Sequence, residues 1–185
     1  TLGENTVNIG LNAGLVGIAT VLLYILIYYR LLGVITILGL GTFGLAFYSI
    51  LSLLSKYQGF TLTLAGVAGI IVSIGLAADS YIVTYEKFKD ELKVGRSYSY
   101  AAEKSTKEAW RTILVADFVS LSAATLLFVL AVGPIKGFAI SLGIATLIDL
   151  IYTRFYTRHA LNLAVTVTNN SRLFFPIKMK DLEHV

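Results

Sequence analysis

Residues Thr61–Val83 read TLTLAGVAGIIVSIGLAADSYIV, a run of 23 residues whose only charge is Asp79. A hydrocarbon core of about 30 Å takes about 20 apolar residues of α-helix, so this run is long enough to cross a bilayer. Its carboxylate then sits inside the apolar layer, where an ionised acid costs roughly 2.5–3.5 kcal/mol on insertion scales. Two further acids, Asp117 and Asp149, stand in equally apolar surroundings. Acids so placed are rare unless they bind an ion, relay a proton or pair with a partner. One stretch therefore decides both the fold and the place of the chemistry.

The whole chain agrees with it. Of 185 residues 56% are hydrophobic and only 14% charged, against about 25% charged in a soluble domain; the mean hydropathy is +0.77. The fold class is all-α, a polytopic membrane helix bundle. The basic balance does not indicate nucleic acid, because the lysines and arginines are scattered over connections between apolar spans rather than gathered on one soluble face. With no cysteine there is no disulfide, thiolate or cysteine metal site, and no metal or cofactor is expected. The opening Thr1-Leu2-Gly3-Glu4 has neither Met nor a signal-peptide pattern, which is expected of a piece of a longer protein.

Five spans are predicted, at about 7–29, 33–54, 61–83, 112–132 and 135–163, forming one bundle over 1–165 with a tail at 166–185. Short breaks at Ser55–Gly59 and Gly133-Pro134 make sequential helices antiparallel neighbours. The one long connection, 86–111, is polar and partly helical. If the first span runs from outside to inside, 13 of the 15 basic residues fall on the inner side: Arg30, seven from Lys87 to Arg111, and Arg154, Arg158, Arg172, Lys178 and Lys180. Only Lys56 and Lys136 remain outside, so the positive-inside bias places loop 86–111 and the tail on the cytoplasmic side of a multi-pass protein. Ala65, Gly69, Ser73 and Ala77 recur every four residues in the third span, a small-residue stripe that lets backbones approach closely.

Asp79 lies about four residues from the inner end of its span, or ~6 Å at 1.5 Å per residue, and Asp117 about five residues from its own, or ~8 Å. They share a depth on consecutive antiparallel helices, facing each other or a common wet cavity, and at close range would titrate as a pair. Asp79 has Gly75 one turn before it and Ala78 and Ser80 beside it, so little bulk screens it. Asp149 has Thr146, Tyr152, Thr153 and Tyr156 at neighbouring helical positions, whose hydroxyls are expected to satisfy it. No basic residue stands in a span at the depth of Asp79, so a cationic partner must come from another chain. Asp79, Asp117 and Asp149 are the candidate titratable acids, with Gly69, Ser73, Gly75 and Ala77 as the packing residues beside Asp79.

At these residues the chain resembles the membrane portion of the SecD family, protein-export accessories of the RND superfamily. The resemblance is carried by Thr61–Ile70, by Gly75-Leu76-Ala77-Ala78-Asp79, by Tyr85-Glu86-Lys87, and by Glu91-Leu92 with Gly95-Arg96. The segment Gly133-Pro134-Ile135-Lys136-Gly137-Phe138-Ala139 is a family signature, and Tyr28-Tyr29-Arg30 and Thr157-Arg158 also fit. The resemblance implies five helices of a six-helix half, preceded by a further helix and an extracytoplasmic domain, and paired with a SecF-like subunit as parallel repeats about an axis along the membrane normal. It implies a bacterial or archaeal cytoplasmic membrane, the Sec translocon channel and preprotein as partners beside the membrane lipids, and proton flux assisting export. By it, Asp79 matches the acid of the family's fourth transmembrane helix and is the expected proton-responsive residue, ahead of Asp117 and then Asp149.

The chain departs from the family in two helices. Where the family reads Asp-Ala-Asn it has Asp79-Ser80-Tyr81, and in the next helix the acid stands at the amide's position, Val115-Ala116-Asp117. Asp149 and Arg154 fall where the family carries small or apolar residues. Other readings are an RND-type exporter half for small molecules or lipids, against which the Gly133–Ala139 segment argues, and a non-titrating scaffold. An enzyme is not expected: intramembrane aspartyl proteases carry Tyr-Asp and Gly-x-Gly-Asp, whereas this chain has Ala78-Asp79 and Ala116-Asp117. Between H⁺ and Na⁺ as the coupling ion, a lone carboxylate among hydroxyls suits both.

Overall fold

A computed structural model describes residues 2–58 and 63–167, with side chains from residue 8 onward. Among these residues the fold is entirely helical: α1 (Leu2–Tyr29), α2 (Leu31–Gln58), α3 (Leu64–Lys93), α4 (Tyr98–Leu130) and α5 (Pro134–Tyr152). A single π turn (Thr153–Thr157) then leads into α6 (Arg158–Val167). Five helical stretches are long and apolar enough to cross a membrane, the fifth running from Pro134 through the π turn to Val167. The 168–185 part of the expected tail lies outside the described residues.

Two boundaries differ from expectation. α2 persists through Gln58, so residues 55–58 of the expected break are helical, and Gly59 lies outside the described residues. Segment 86–111 is almost wholly helix, because α3 and α4 each run on beyond their apolar spans and only 94–97 separates them. Ion pairs hold that hairpin. Glu91 on α3 meets Arg96 in the turn at 3.0 Å and Lys104 on α4 at 2.8 Å, while Ser97 caps α4 by accepting from the Tyr100 amide. At the other end Gly133 adopts a positive φ of 61°, and Pro134 then opens α5 at a position that needs no amide donor.

Small residues set the architecture. α3 and α5 run parallel in close contact, with the Thr63 hydroxyl reaching the Pro134 carbonyl at one end and Ser80 reaching Asp149 further along. A Cβ on Gly69 would meet Ser141 Cβ at 3.0 Å and the Phe138 carbonyl at 3.1 Å, and one on Gly137 would lie 2.8 Å from Thr63 Oγ1. Gly69, Ser73 and Ala77 are all buried. Gly75, expected to pack beside them, instead faces open space on another side of the helix. α4 returns antiparallel, and a Cβ on Gly143 would lie 3.7 Å from the Ala124 Cβ.

Towards the Arg30 end, larger side chains fill the wedge between α2, α3 and α5. Phe43 packs edge-on to Tyr152, Tyr81 edge-on to Tyr156, and Gly39 leaves room for the Tyr81 hydroxyl. α1 is mostly exposed, as a lipid-facing helix should be, and is tied to α3 at its end. Lys89 donates to Tyr28 and Glu86 at 3.0 Å each and lies 4.6 Å over the Tyr28 ring, while Tyr29 donates to Glu86 at 2.6 Å.

The α3–α5 seam yields a paired test. Gly69→Val should overpack it and cost about 1–3 kcal/mol, whereas Gly75→Ala should be neutral or slightly stabilising. Detergent unfolding midpoints distinguish the two.

Candidate functional site

The three acids occupy one transverse layer of the bundle. Asp149 on α5 is its centre. It is 4% exposed and accepts a 2.6 Å hydrogen bond from Ser80 Oγ on α3. Asp117 arrives from α4 on the buried stripe Ile113, Asp117, Ala124, and its Oδ2 has no hydrogen-bond partner. Asp117 and Asp79 both lie near enough to Asp149 to interact with it electrostatically. No cation pairs with any of the three among the described residues.

Their orientations differ. Asp117 points into the bundle and Asp79 out of it. At 100° per residue, Asp79 shares a strip of α3 with Val72 and Leu76, all exposed. This strip falls between the sector that meets α1 (Ile71, Ala78) and the sector that meets α5 (Gly69, Ser80). α3 is thus buried on most sides yet presents a carboxylate on its one open face. Facing lipid, that charge would meet the insertion cost in full, so the strip calls for a further surface against it.

The donor to Asp149 was expected from its own helix. Instead Thr146 donates to the Leu142 carbonyl and Tyr156 to the Ile35 carbonyl, and Ser80 supplies the bond from α3. Sequence reasoning treated Ser80 only as a small neighbour of Asp79. The register could have revealed it, since Gly69, Ser73 and Ser80 are spaced four and seven apart on the same seam. Two departures from the family pattern, a serine after Asp79 and an acid at 149, are therefore partners. Tyr81, in place of the family amide, fills the aromatic wedge. Lys136 and Phe138 of the Gly133–Ala139 signature lie at the opposite end of α5 from this layer, with Lys136 Nζ 5.6 Å from the Phe128 ring centre.

Comparison with known proteins agrees with this architecture. A family model described as protein export membrane protein SecD/SecF, C-terminal, matches residues 1–168. The chain is 44% identical over 151 residues to a protein translocase subunit SecD of Mycobacterium tuberculosis, covering 82% of the chain and 26% of the relative. It is 44% identical over 162 residues to that of Streptomyces coelicolor, covering 88% and 28%. The crystal structure of SecDF, a translocon-associated membrane protein from Thermus thermophilus, superposes with a TM-score of 0.80 at 30% identity, over 92% of this chain and 23% of that one. The chain thus spans about a quarter of the length of these relatives.

Removing the Ser80 hydroxyl leaves Asp149 buried without its donor. Ser80→Ala should cost about 1–3 kcal/mol of stability. Asp149→Asn, which keeps an acceptor for Ser80, should cost less. Unchanged unfolding of Ser80→Ala in detergent would mean that water rather than Ser80 serves the carboxylate.

Proposed function

This chain belongs to the SecD/SecF family of protein-export membrane proteins, and on that premise we propose that it is the membrane part of a proton-coupled accessory subunit of the Sec translocase. Asp79 is the residue that takes up and releases the proton. The observation that carries this reading is the placement of Asp79, a carboxylate with no cationic partner among the described residues, on the one open strip of an otherwise packed transmembrane helix. A SecF-like subunit fits against that strip and supplies the missing partner groups.

The energetics favour a switch. Protonated, Asp79 tolerates a dry interface; ionised, it requires water or a cation. That difference in environment lets proton binding shift the populations of two packing states. Asp117 and Asp149 lie in the same layer as Asp79. The basic bias puts Arg30, the 94–97 turn and α6 on the cytoplasmic side, so protons enter from the end of the bundle that carries Lys56 and Lys136. Motion of α3 is passed to an extracytoplasmic domain that acts on the emerging preprotein beside the translocon channel. No catalytic role is read into the acids.

The test is Asp79→Asn in the full-length protein. Export should lose its acceleration by the proton gradient while the protein still assembles with its partner. Proton-gradient dependence equal to that of the unaltered protein would leave Asp79 a structural acid and favour the scaffold reading. Stimulation that follows a sodium gradient instead would reassign the ion.

A further inference from the structure

Away from the acid layer, α4 and the π turn enclose a cleft of about 270 Å³. Lys107 and Trp110 of α4 line one wall, and Arg154 and Arg158 the other. The Arg154 guanidinium lies 5.7 Å from the Trp110 ring centre. The π turn organises the second wall: Thr153 and Thr157 are both buried, and the residue after each is an arginine of the cleft. Such single π turns often mark functional positions.

The charge of this cleft is unbalanced. Three cations face a single carboxylate, the exposed Glu103. None of the three pairs with an acid among the described residues. Arginines that merely anchor a helix end would have no reason to converge with a lysine and a tryptophan on one hollow.

We propose that this cleft binds the phosphate of an anionic phospholipid headgroup. Arginine forks suit phosphate oxygens geometrically, and basic pockets between transmembrane helices at the membrane boundary hold such headgroups. Free phosphate offers the same oxygens, but the surroundings favour a lipid. Trp110 sits two residues outside the apolar span of α4, at the depth where amphipathic rings collect. One and two turns further into the span on its side of the helix, Leu114 and Phe118 are 43% and 68% exposed, an apolar track for acyl chains.

Trp110 is the only tryptophan of the 185 residues and reports on its own cleft. In phosphatidylcholine nanodiscs, brominated phosphatidylglycerol should quench its fluorescence at a mole fraction on the order of 100-fold lower than brominated phosphatidylcholine does. Arg154→Gln and Arg158→Gln should each weaken that preference about fivefold, and together about 25-fold. Lys93→Gln, which removes a like charge outside the cleft, should preserve it. If the double variant fails to fold, Lys107→Gln, an exposed position, carries the same expectation of a fivefold loss. Equal quenching by the two lipids, or a preference unchanged in the cleft variants, overturns the proposal. Inorganic phosphate should relieve quenching no better than chloride at equal ionic strength; displacement specific to phosphate would assign the cleft to a soluble anion and overturn the lipid assignment.

Discussion

The close approach of α3 and α5 is the contact on which the rest of this bundle depends. Lipid tails are as apolar as leucine, so helices in a bilayer gain little from hydrophobic burial against one another and associate through tight packing and hydrogen bonds. Gly69 and Gly137 remove the side chains that would hold the two backbones apart, and Thr63 and Ser80 turn the gained proximity into polar contacts. With a bulkier seam, Ser80 could not reach Asp149, and a buried acid would lie in hydrocarbon without a donor.

That contact also explains why two unusual residues occur together. A serine after Asp79 and an acid at 149 are each unexpected within the family pattern, and each would be costly alone in an apolar layer. Joined at 2.6 Å they form a satisfied pair. Asp117 adds a third carboxylate from α4, brought in by the antiparallel return of that helix. The acid layer is thus assembled from three helices, with only Asp79 presented outwards.

The two ends of the bundle divide the remaining tasks. At the Arg30 end, aromatic wedging, the Lys89–Glu86–Tyr29 clamp and the Glu91–Arg96–Lys104 pairs hold the helical extensions beyond the apolar spans. These contacts tie the polar end of α3 to α1 and α4. The cleft beside the π turn lies on the outer side of the same end, where α4 meets surrounding lipid.

Much of this was legible from residue order alone. Five apolar runs of membrane length, the side on which lysine and arginine collect, the small-residue stripe of α3 and the depth of Asp79 all follow from composition and helical period, which are local properties. What a linear reading could not supply was orientation about the helix axis and the identity of neighbours across it. Asp79 and Asp117 share a depth in either view, but only the packed bundle turns one outwards and the other inwards. Asp149 was expected to bond within its own helix, because sequence displays near neighbours and hides those 69 positions away. Likewise Arg154 and Arg158 read only as two of the inner-side basic residues until the π turn brought both to the cleft beside Trp110. Period and hydropathy decide that a helix spans the membrane. Which face meets which partner is decided by side-chain fit between helices, a property that exists only once they are packed.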